Sequence, residues 1–334
     1  MSRALVTGAA GFVGANLARR LLADGHEVHL VVRPASRRWR IDELLEHAAL
    51  HEVDLEDADG VARAVRDARP DWVFHLAARG AYSWQDDVGE IVRANVLGTA
   101  NLLDAVTREG FTAFVYAGTS SEYGVKDHAP SEDEPAEPTS AYAVAKMSAT
   151  MLCRFFARTG GHRVVILRLY SVFGPWEEPG RLLPNVIMRG LAGELPPLAS
   201  PDAAHDFVYV VDALDAFLGA ATGANVEPGA IFNVGSGTQT TLGEVVALAR
   251  RIFGIDAGPQ WGSMGSRAWD TSVWVADARL IERQLKWAPR HTFEEGFRKH
   301  VEWFRGNTGL WPLYDELARR RAAPRKPPSA TRAQ

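Results

Sequence analysis

The sequence predicts an α/β fold, in which a doubly wound parallel sheet is followed by a smaller and discontinuous α/β lobe. Two patterns support this prediction. Short apolar runs of strand length alternate with longer segments whose apolar residues recur at helical spacing, the order typical of a parallel sheet with helices on both faces. After Leu169 this alternation gives way to an irregular stretch rich in Pro and Gly. We therefore assign residues 1–169 to the first domain and 170–318 mainly to a second lobe.

The first domain begins with a strand, a glycine turn and a helix. Residues 4–7 form a buried apolar run, three glycines follow in the spacing G-x-x-G-x-x-G, and residues 15–23 carry apolar side chains at helical spacing. This order predicts a Rossmann domain that binds a dinucleotide. The first glycine permits the tight turn, the second leaves room for a pyrophosphate at the helix N-terminus, and the third lets the helix lie close to the strand. The expected cofactor contacts here are Gly8, Gly11, Phe12, Val13 and Gly14.

The remaining elements are predicted from apolar runs and helical periodicity. Strands are expected at 28–32, 50–53, 72–78, 111–117 and 163–169, and segments near 205–234 return to the first domain as strands at 208–211 and 231–234. Helices are expected at 57–69, 88–108, 140–158, 185–192, 241–253 and 292–304. The basic, Pro-rich residues 319–334 are expected to form a disordered tail.

The end of the second strand bears on the identity of the dinucleotide. An NAD-specific site usually has Asp or Glu there, which accepts hydrogen bonds from the adenosine ribose. This strand is instead followed by Arg33, Ser36, Arg37 and Arg38. A guanidinium at this place can pair with a 2′-phosphate, although a solvated basic loop is the other interpretation. We predict NADP(H), with NAD as the alternative, and expect contacts from Arg33, Ser36 and Arg37.

Further cofactor contacts are expected where the other parallel strands end. Asp54 either contacts the adenine or caps the next helix, and small residues after the fourth strand would let the cofactor lie against the backbone. The contacts predicted from these positions are Asp54, Leu55, Leu76, Ala77, Ala78, Tyr170 and Val172. His75 is expected to be a packed strand-end histidine, and Asn95 to have a structural role because a buried Asn needs hydrogen-bond partners.

The residues predicted to carry the chemistry are Thr119, Tyr142 and Lys146. Tyr142 and Lys146 are four residues apart on one predicted helix and therefore share a face. A lysine ammonium near a phenol favours the phenolate, which would lower the pKa of Tyr142, and it can hold the nicotinamide ribose. Thr119 ends a neighbouring strand, where its hydroxyl can reach a substrate oxygen. The three groups suit proton transfer to or from a carbonyl or alcohol beside a nicotinamide.

Several motifs together resemble the extended short-chain dehydrogenase/reductase family, which includes nucleotide-sugar epimerases, 4,6-dehydratases and 4-ketoreductases. They are TGAAGFVG at 7–14, HLAA at 75–78, NVLGT at 95–99, Tyr142 with Lys146, VFGP at 172–175, HDFVYV at 205–210, FNVGSG at 232–237 and LKWAP at 285–289. The resemblance implies a nucleoside-diphosphate sugar between the lobes and a homodimer built from the helices at 88–108 and 140–158. It places the catalytic roles on Thr119, Tyr142 and Lys146. The substrate contacts that it implies are Ser120, Ser121, Arg181, Asn185, His205 and Arg267, with Asp270 nearby.

Departures from the family pattern bear on the reaction. The dehydratases have two acidic residues after the catalytic Thr, but this chain has Ser120 and Ser121, and Glu122 comes one position too late to face the sugar. Two later motifs of the family usually contain an Asn and an Arg. This chain has Ser171 and His205 at those two positions. The leading hypothesis is an NADPH-dependent 4-ketoreductase acting on an NDP-4-keto-6-deoxyhexose. A 4-epimerase is the alternative, and a 4,6-dehydratase or a non-catalytic cofactor-binding sensor is less favoured.

Composition and charge restrict which partners, metal sites and cellular locations are expected. A formal net charge of -4 gives no reason to expect nucleic acid or an anionic membrane as a partner. Cys153 is the sole cysteine, so an internal disulfide or a cysteine-based metal cluster is excluded, and no metal site is predicted. No apolar run is long enough to span a bilayer, and the first strand begins too early for a signal peptide. A cytoplasmic protein is expected.

Overall fold

The computed structural model describes residues 1–82, 84–224, 226–263 and 272–322. The described strands are β1 (Arg3–Thr7), β2 (Glu27–Val32), β3 (Ala49–Glu52), β4 (Trp72–His75), β5 (Ala113–Thr119), β6 (Val164–Leu169), β7 (Ser171–Phe173), β8 (Ala204–Tyr209), β9 (Ala230–Val234) and β10 (Gln239–Thr241). The described helices are α1 (Phe12–Ala23), α2 (Ala58–Ala68), α3 (Val88–Val92), α4 (Gly98–Glu109), α5 (Ala141–Gly160), α6 (Leu182–Leu191), α7 (Val210–Thr222), α8 (Leu242–Phe253), α9 (Arg279–Leu285), α10 (Phe293–Gly306) and α11 (Trp311–Ala322). A π-helical turn, Arg93–Leu97, joins α3 to α4.

The main sheet has the order β3-β2-β1-β4-β5-β6-β9, and every neighbouring pair in it is parallel. The order reverses between β1 and β4, which is where a doubly wound sheet binds its ligand, beyond the carboxyl ends of the strands. Thr7 at the end of β1 pairs with His75 at the end of β4, and Thr119 ends β5 on the same edge. The predicted Rossmann fold is therefore confirmed.

Both faces of this sheet are covered, as the apolar runs in the sequence require. Alternate residues of each strand point to opposite faces. Val6, Leu30 and Phe74 lie in the hydrophobic core that also contains side chains of α1 and α7. Their neighbours Leu5, Val31 and Val73 lie in a second core, with side chains of α2, α4 and α5. Strands buried on both sides are apolar at nearly every position, since neither face is left to water.

A second sheet in the described residues corrects the predicted return of residues 208–211 to the main sheet. β8 pairs with β7 and β10 in a small sheet of the order β10-β8-β7. Val210 and Val211 begin α7, which packs against α1, β5 and β6. β9 does return to the main sheet, beside β6. A short apolar run fits either sheet equally well, so periodicity alone could not decide between them.

The C-terminal part of the chain is more ordered than predicted up to Ala322. Residues 319–322, for which the composition predicts a disordered tail, belong to α11. Tyr314 and Leu317 of this helix are buried, at 1% and 3% exposure. Residues 323–334 lie outside the described part of the chain. Among the described helices, none combines the length and the apolar character that a membrane span requires.

Candidate active site

The glycine turn after β1 has the geometry that its sequence predicts. Gly8 has a φ of +67°, and a Cβ there would lie 2.6 Å from the backbone nitrogen of Ala77. A Cβ on Gly14 would lie 2.4 Å from the carbonyl oxygen of Gly8, so α1 approaches the turn too closely for a side chain. A Cβ on Gly11 would meet that same oxygen at 3.0 Å and otherwise open space. The turn thus leaves room at the N-terminus of α1, where Phe12 and Val13 begin the helix, for an anionic pyrophosphate.

A buried hydrogen-bond network fixes the strand ends beneath this turn. His75 is fully buried between two hydroxyls, with Nδ1 2.6 Å from Thr7 Oγ1 and Nε2 2.8 Å from Thr99 Oγ1. Burial lowers the pKa of His75 to about 3, so the ring is neutral. Asn95 bonds both the N–H and the carbonyl of Arg79, at 3.0 and 2.7 Å, and so holds the loop after Leu76, Ala77 and Ala78. Both residues have the structural roles that were predicted.

The end of β2 presents two exposed arginines. The side chains of Arg33 and Arg37 have no ion pair within the described residues, whereas Arg38 pairs with Glu52 of β3 at 2.7 Å. Ser36 N–H bonds the carbonyl of Arg33 at 2.9 Å and shapes this loop. The positive charge at this strand end is therefore available to an anion.

Asp54 follows β3, and the sequence left two roles open for it: an adenine contact or the cap of the next helix. Asp54 Oδ1 accepts the N–H of Glu56 at 3.1 Å and closes a short turn. The helix that follows, α2, is capped by Asp57, which accepts the N–H of Gly60 at 3.0 Å. Asp54 is thus not the cap, and it stays half-buried beside the predicted adenine site. Leu55 is buried in the core between sheet and helices, with 6% exposure.

The structure brings Thr119, Tyr142 and Lys146 together. Ser140 caps α5 by accepting the N–H of Ala143 at 3.1 Å, which places Tyr142 in the first turn of the helix. The Tyr142 phenol neighbours the side chain of Thr119 at the end of β5, which favours the ionised form of the phenol. Lys146 lies one helical turn further on and is only 2% exposed, with its ammonium 4.1 Å from the ring centre of Tyr116.

The electrostatics of these groups correct the predicted lowering of the phenol pKa. Burial raises the pKa of Tyr142 to about 12, more than the neighbouring Thr119 side chain lowers it. The charges of Glu122 and Arg181 act on this phenol in opposite directions. Burial lowers the pKa of Lys146 to about 8, against the opposing effect of Glu122. The site as folded holds a protonated phenol, which suits Tyr142 to donate a proton.

The predicted substrate contacts differ in how they are related to the Tyr142 phenol. Arg181, at the start of α6, is exposed, yet its charge acts on Tyr142 and its guanidinium is 5.9 Å from the ring centre of Tyr82. Its Nε is 3.8 Å from a carboxylate oxygen of Glu177, so Arg181 also forms an ion pair within the protein. Asn185 donates to the carbonyl of Arg181 within the helix, at 2.9 Å. Ser120 and Ser121 follow Thr119 directly, the first buried and the second half-buried.

The two residues that depart from the family pattern meet each other. Ser171 on β7 and His205 on β8 are hydrogen-bonded, with 3.4 Å between Oγ and Nδ1. Tyr170 and Val172 on either side of Ser171 are buried, and Tyr170 N–H bonds the carbonyl of Val234 at 3.0 Å. The predicted contacts Arg267 and Asp270 lie outside the described residues.

Comparison with known proteins assigns the family. Residues 4–235 match the model of the NAD dependent epimerase/dehydratase family. The chain belongs to this family. The dTDP-glucose 4,6-dehydratase of Streptomyces antibioticus is 30% identical over 350 residues, which cover 97% of this chain and 98% of the relative. The UDP-glucose 4-epimerase of Thermotoga maritima, solved with UDP-glucose, has a TM-score of 0.83 and 29% identity, with 91% of this chain and 99% of that chain covered.

A further solved structure, the UDP-glucose 4-epimerase of Thermus thermophilus with NAD, has a TM-score of 0.81 and 30% identity over 91% of this chain and 99% of its own. The extended short-chain dehydrogenase/reductase assignment made from the motifs is thereby confirmed. The protein is an enzyme of an epimerase/dehydratase family that acts on nucleotide sugars with a nicotinamide cofactor.

Sequence reasoning missed a buried charged cluster next to the glycine turn of this epimerase/dehydratase domain. Arg40 donates to Glu178 at 3.0 Å and to the carbonyl of Ala10 at 3.4 Å, so it ties the turn to the loop before α6. Glu177 beside it is also buried, and burial raises the pKa of that carboxyl to about 8. The adjacent acids of the motif WEEP were the available signal, but their partner Arg40 is 138 residues away from Glu178.

Proposed function

We propose that this protein is an NADPH-dependent reductase of the 4-keto group of a nucleoside-diphosphate 4-keto-6-deoxyhexose. The observation that carries this proposal is that the buried Tyr142 phenol neighbours the Thr119 side chain, with Lys146 one helical turn away and serines instead of carboxylates next to Thr119. These groups lie at the sheet edge that also holds the glycine turn. A proton donor beside the dinucleotide site, without an added acid–base pair, fits ketone reduction.

Dehydration of the sugar is disfavoured by the residues after Thr119. Removal of water needs acidic and basic groups besides the tyrosine, and Ser120 and Ser121 cannot supply them at neutral pH. Glu122 is fully buried and its two oxygens accept hydrogen bonds from protein groups, so it does not face a substrate. The named dehydratase relatives, at 28–30% identity, support the substrate class rather than this step.

Each group of residues in the site would have its own role in the reduction of the ketone. A reduced nicotinamide, when bound, supplies a hydride to the ketone carbon. Tyr142 donates its proton to the ketone oxygen, and the Thr119 hydroxyl holds that oxygen. Lys146 holds the ribose hydroxyls of the cofactor. The turn at Gly8, Gly11, Phe12, Val13 and Gly14 would take the pyrophosphate, since Gly11 leaves open space there.

The experiment that tests the proposal is a spectrophotometric assay with NADPH and a dTDP-, CDP- or GDP-4-keto-6-deoxyhexose. The expected result is loss of the reduced-nicotinamide absorbance, with a deoxyhexose nucleotide as product. Tyr142→Phe should abolish turnover because it removes the proton donor, while NADPH affinity, measured by fluorescence titration, stays nearly unchanged. If Tyr142→Phe retains the wild-type rate, the assigned role is wrong.

A 4-epimerase is the second candidate, and the solved structures favour it. Two UDP-glucose 4-epimerases match this chain over 99% of their own length at 29–30% identity. An epimerase reuses its bound NAD in every cycle, so it needs no external reductant. Incubation with UDP-glucose alone, followed by separation of the sugar nucleotides, distinguishes the two: accumulation of UDP-galactose without NADPH would favour the epimerase and reject the reductase.

A homodimer is supported by an exposed apolar surface on two packed helical segments. Val88, Val92 and Leu97 lie on α3 and the π-helical turn, and 44–58% of each side chain is exposed. Val144, Met151 and Phe155 lie on α5 and are 42–60% exposed. α5 packs against α3 and α4, so these side chains belong to one region of the surface. We call these six residues the α3–α5 surface and infer that it meets a second copy of this chain.

A further inference from the structure

Glu122 lies in the 3₁₀ turn Ser120–Tyr123, which directly follows the proposed catalytic residue Thr119. Its side chain is 0% exposed. Oε1 accepts the backbone N–H of Thr119 at 2.9 Å, and the Thr119 hydroxyl caps the same turn in return. A Cβ on Gly118 would lie 2.9 Å from this carboxylate oxygen, so the preceding position is also adapted to it. Glu122 therefore holds the backbone that carries the hydroxyl facing Tyr142.

The other carboxylate oxygen of Glu122 joins two further elements. Oε2 accepts from Thr150 Oγ1 on α5 at 3.0 Å and from Arg168 Nε on β6 at 3.1 Å. Thr150 lies one helical turn beyond Lys146. Arg168 is 2% exposed, and its guanidinium lies 4.4 Å from the ring centre of Tyr123. Three hydrogen bonds and the ion pair with Arg168 therefore hold this buried carboxylate in one position.

Several groups lie near the Lys146 ammonium. They are the Tyr116 ring on β5, His75 on β4, Cys153 on α5, and Glu122. His75 is neutral, and burial raises the pKa of Cys153 so that the thiol is neutral as well. Among the described residues, Glu122 is the carboxylate whose charge acts on Lys146, and it also favours the protonated form of Tyr142.

We propose that Glu122 is a positioning residue of this active site, whose buried carboxylate fixes the Thr119 backbone and, through its bond to Thr150, supplies a negative charge one helical turn from Lys146. The part that concerns catalysis rests on the proposed function. The carboxylate contacts neither Lys146 by a hydrogen bond nor a substrate, so it acts through its negative charge and through the Thr119 backbone. A glutamate that follows the two serines is thereby explained: it points into the protein and serves the residues that do face the ligand.

Direct titration of Lys146 tests this proposal without turnover. The chain has five lysines, at 126, 146, 286, 299 and 326, so protein labelled with carbon-13 at the lysine ε-carbon gives few signals, and Lys146→Arg assigns the relevant one. Wild-type Lys146 is expected to titrate at about pH 8. In Glu122→Gln the negative charge is gone and Arg168 loses its partner, so the midpoint should fall by about one pH unit or more.

Two further variants separate charge from structure. Glu122→Gln with Arg168→Met removes both buried charges at similar size, so the midpoint should again fall below the wild-type value, but by less than in the single variant, because the unpaired Arg168 charge is gone as well. Thr150→Val removes one hydrogen bond to the carboxylate but no charge, so the midpoint should stay at the wild-type value although Tm falls. An unchanged midpoint in the Glu122 variants, or an equal shift in Thr150→Val, overturns the proposal. Absence of turnover in the wild type would instead refute the proposed function.

The catalytic consequence is measured in the same variants. Because Lys146 loses its proton at lower pH when Glu122 is neutral, the alkaline limb of kcat/KM should move to lower pH in Glu122→Gln by the same amount as the titration midpoint. Thr150→Val should keep the position of that limb. If the alkaline limb of kcat/KM stays in place while the Lys146 titration midpoint moves, the ammonium form of Lys146 is not required for turnover.

Discussion

Glu177 and Glu178 are adjacent buried glutamates before α6, but their carboxyl groups have different hydrogen-bond partners. Glu178 is paired with the Arg40 guanidinium, and both side chains are less than a tenth exposed. Glu177 Oε2 has no hydrogen-bond partner among the described residues, and the nearest cation, Arg181, stands 3.8 Å away. The buried carboxyl of Glu177 therefore keeps its proton up to about pH 8, against an ordinary value of 4.5.

This raised pKa predicts that Glu177 destabilises the fold as the pH rises. Between about pH 4.5 and pH 8 the unfolded chain releases the Glu177 proton and the folded protein retains it, so the free energy of unfolding falls across this window. Glu177→Gln removes the effect. The variant should match the wild type near pH 5 and exceed it near pH 8 by up to a few kcal/mol, since one pKa unit is worth about 1.4 kcal/mol. Urea unfolding at both pH values measures this.

Glu178→Gln is the matched control for that experiment. It leaves the Arg40 guanidinium buried without its carboxylate, which costs roughly 3–5 kcal/mol. It should therefore destabilise the protein at both pH values, opposite in sign to Glu177→Gln near pH 8. If the two variants respond alike to pH, the assignment of the protonated carboxyl to Glu177 is incorrect.

The exposed arginines after β2 predict a preference for NADP(H) that can be removed. Arg33→Ala with Arg37→Ala should raise the KM for NADPH by roughly 10- to 100-fold, because a charge-assisted hydrogen bond contributes about 1.5–3 kcal/mol. The KM for NADH should change little, since NADH has no 2′-phosphate. Arg63→Ala, on the exposed surface of α2, is the control for lost positive charge. Equal effects on NADPH and NADH would contradict the prediction.

At the scale of elements, α11 is the segment whose removal should be most informative. Tyr314 donates to the backbone carbonyl of Glu177 at 3.0 Å, and its ring packs on Trp39, Trp303 and Phe304 at centroid distances of 5.7, 6.1 and 4.9 Å. α11 thus covers the loop that carries the buried glutamates. A chain that ends at Leu310 should lose several degrees of Tm, since deletion of one buried aromatic side chain already costs about 3–5 kcal/mol.

The matching control is a chain that ends at Ala322. It keeps α11 and should unfold at the wild-type temperature, as measured by circular dichroism. If both shortened chains lose the same stability, residues 323–334 rather than α11 are responsible. Equal stability of the chain ending at Leu310 and the wild type would show that the Tyr314 contacts contribute little.

These elements also show which parts of the structure the sequence could predict. The approximate positions of the main-sheet strands up to β6, the glycine turn and the face shared by Tyr142 and Lys146 depend on local spacing, and all were predicted. The placement of β8 in the small sheet and the Arg40–Glu178 pair depend on contacts between distant segments, and so do the partners Thr150 and Arg168 of Glu122, whose direction away from the sugar was predicted. Periodicity carries no information on such contacts. The phenol pKa was predicted in the wrong direction because burial, a property of the whole fold, outweighs the neighbouring charges.

At the scale of the whole molecule, the α3–α5 surface predicts how two copies associate. In a symmetric dimer the same patch meets itself, so a substitution acts on both sides of the interface at once. Phe155 is 60% exposed on α5 and is apolar, whereas the surface of a monomer seldom keeps a contiguous patch of this kind. Phe155→Glu should place two carboxylates in the interface and convert the dimer to a monomer, because an unpaired buried charge is strongly unfavourable.

Light scattering coupled to size-exclusion chromatography measures the mass of each form. Val125→Glu is the matched control, since Val125 is 57% exposed but lies in the loop after Gly124 and belongs to neither α3 nor α5. It should remain a dimer with the wild-type mass. A wild-type protein that elutes as a monomer at all concentrations would refute the inferred interface. A dimer that survives Phe155→Glu but is broken by Val125→Glu would place the interface at the loop after Gly124 instead of the α3–α5 surface.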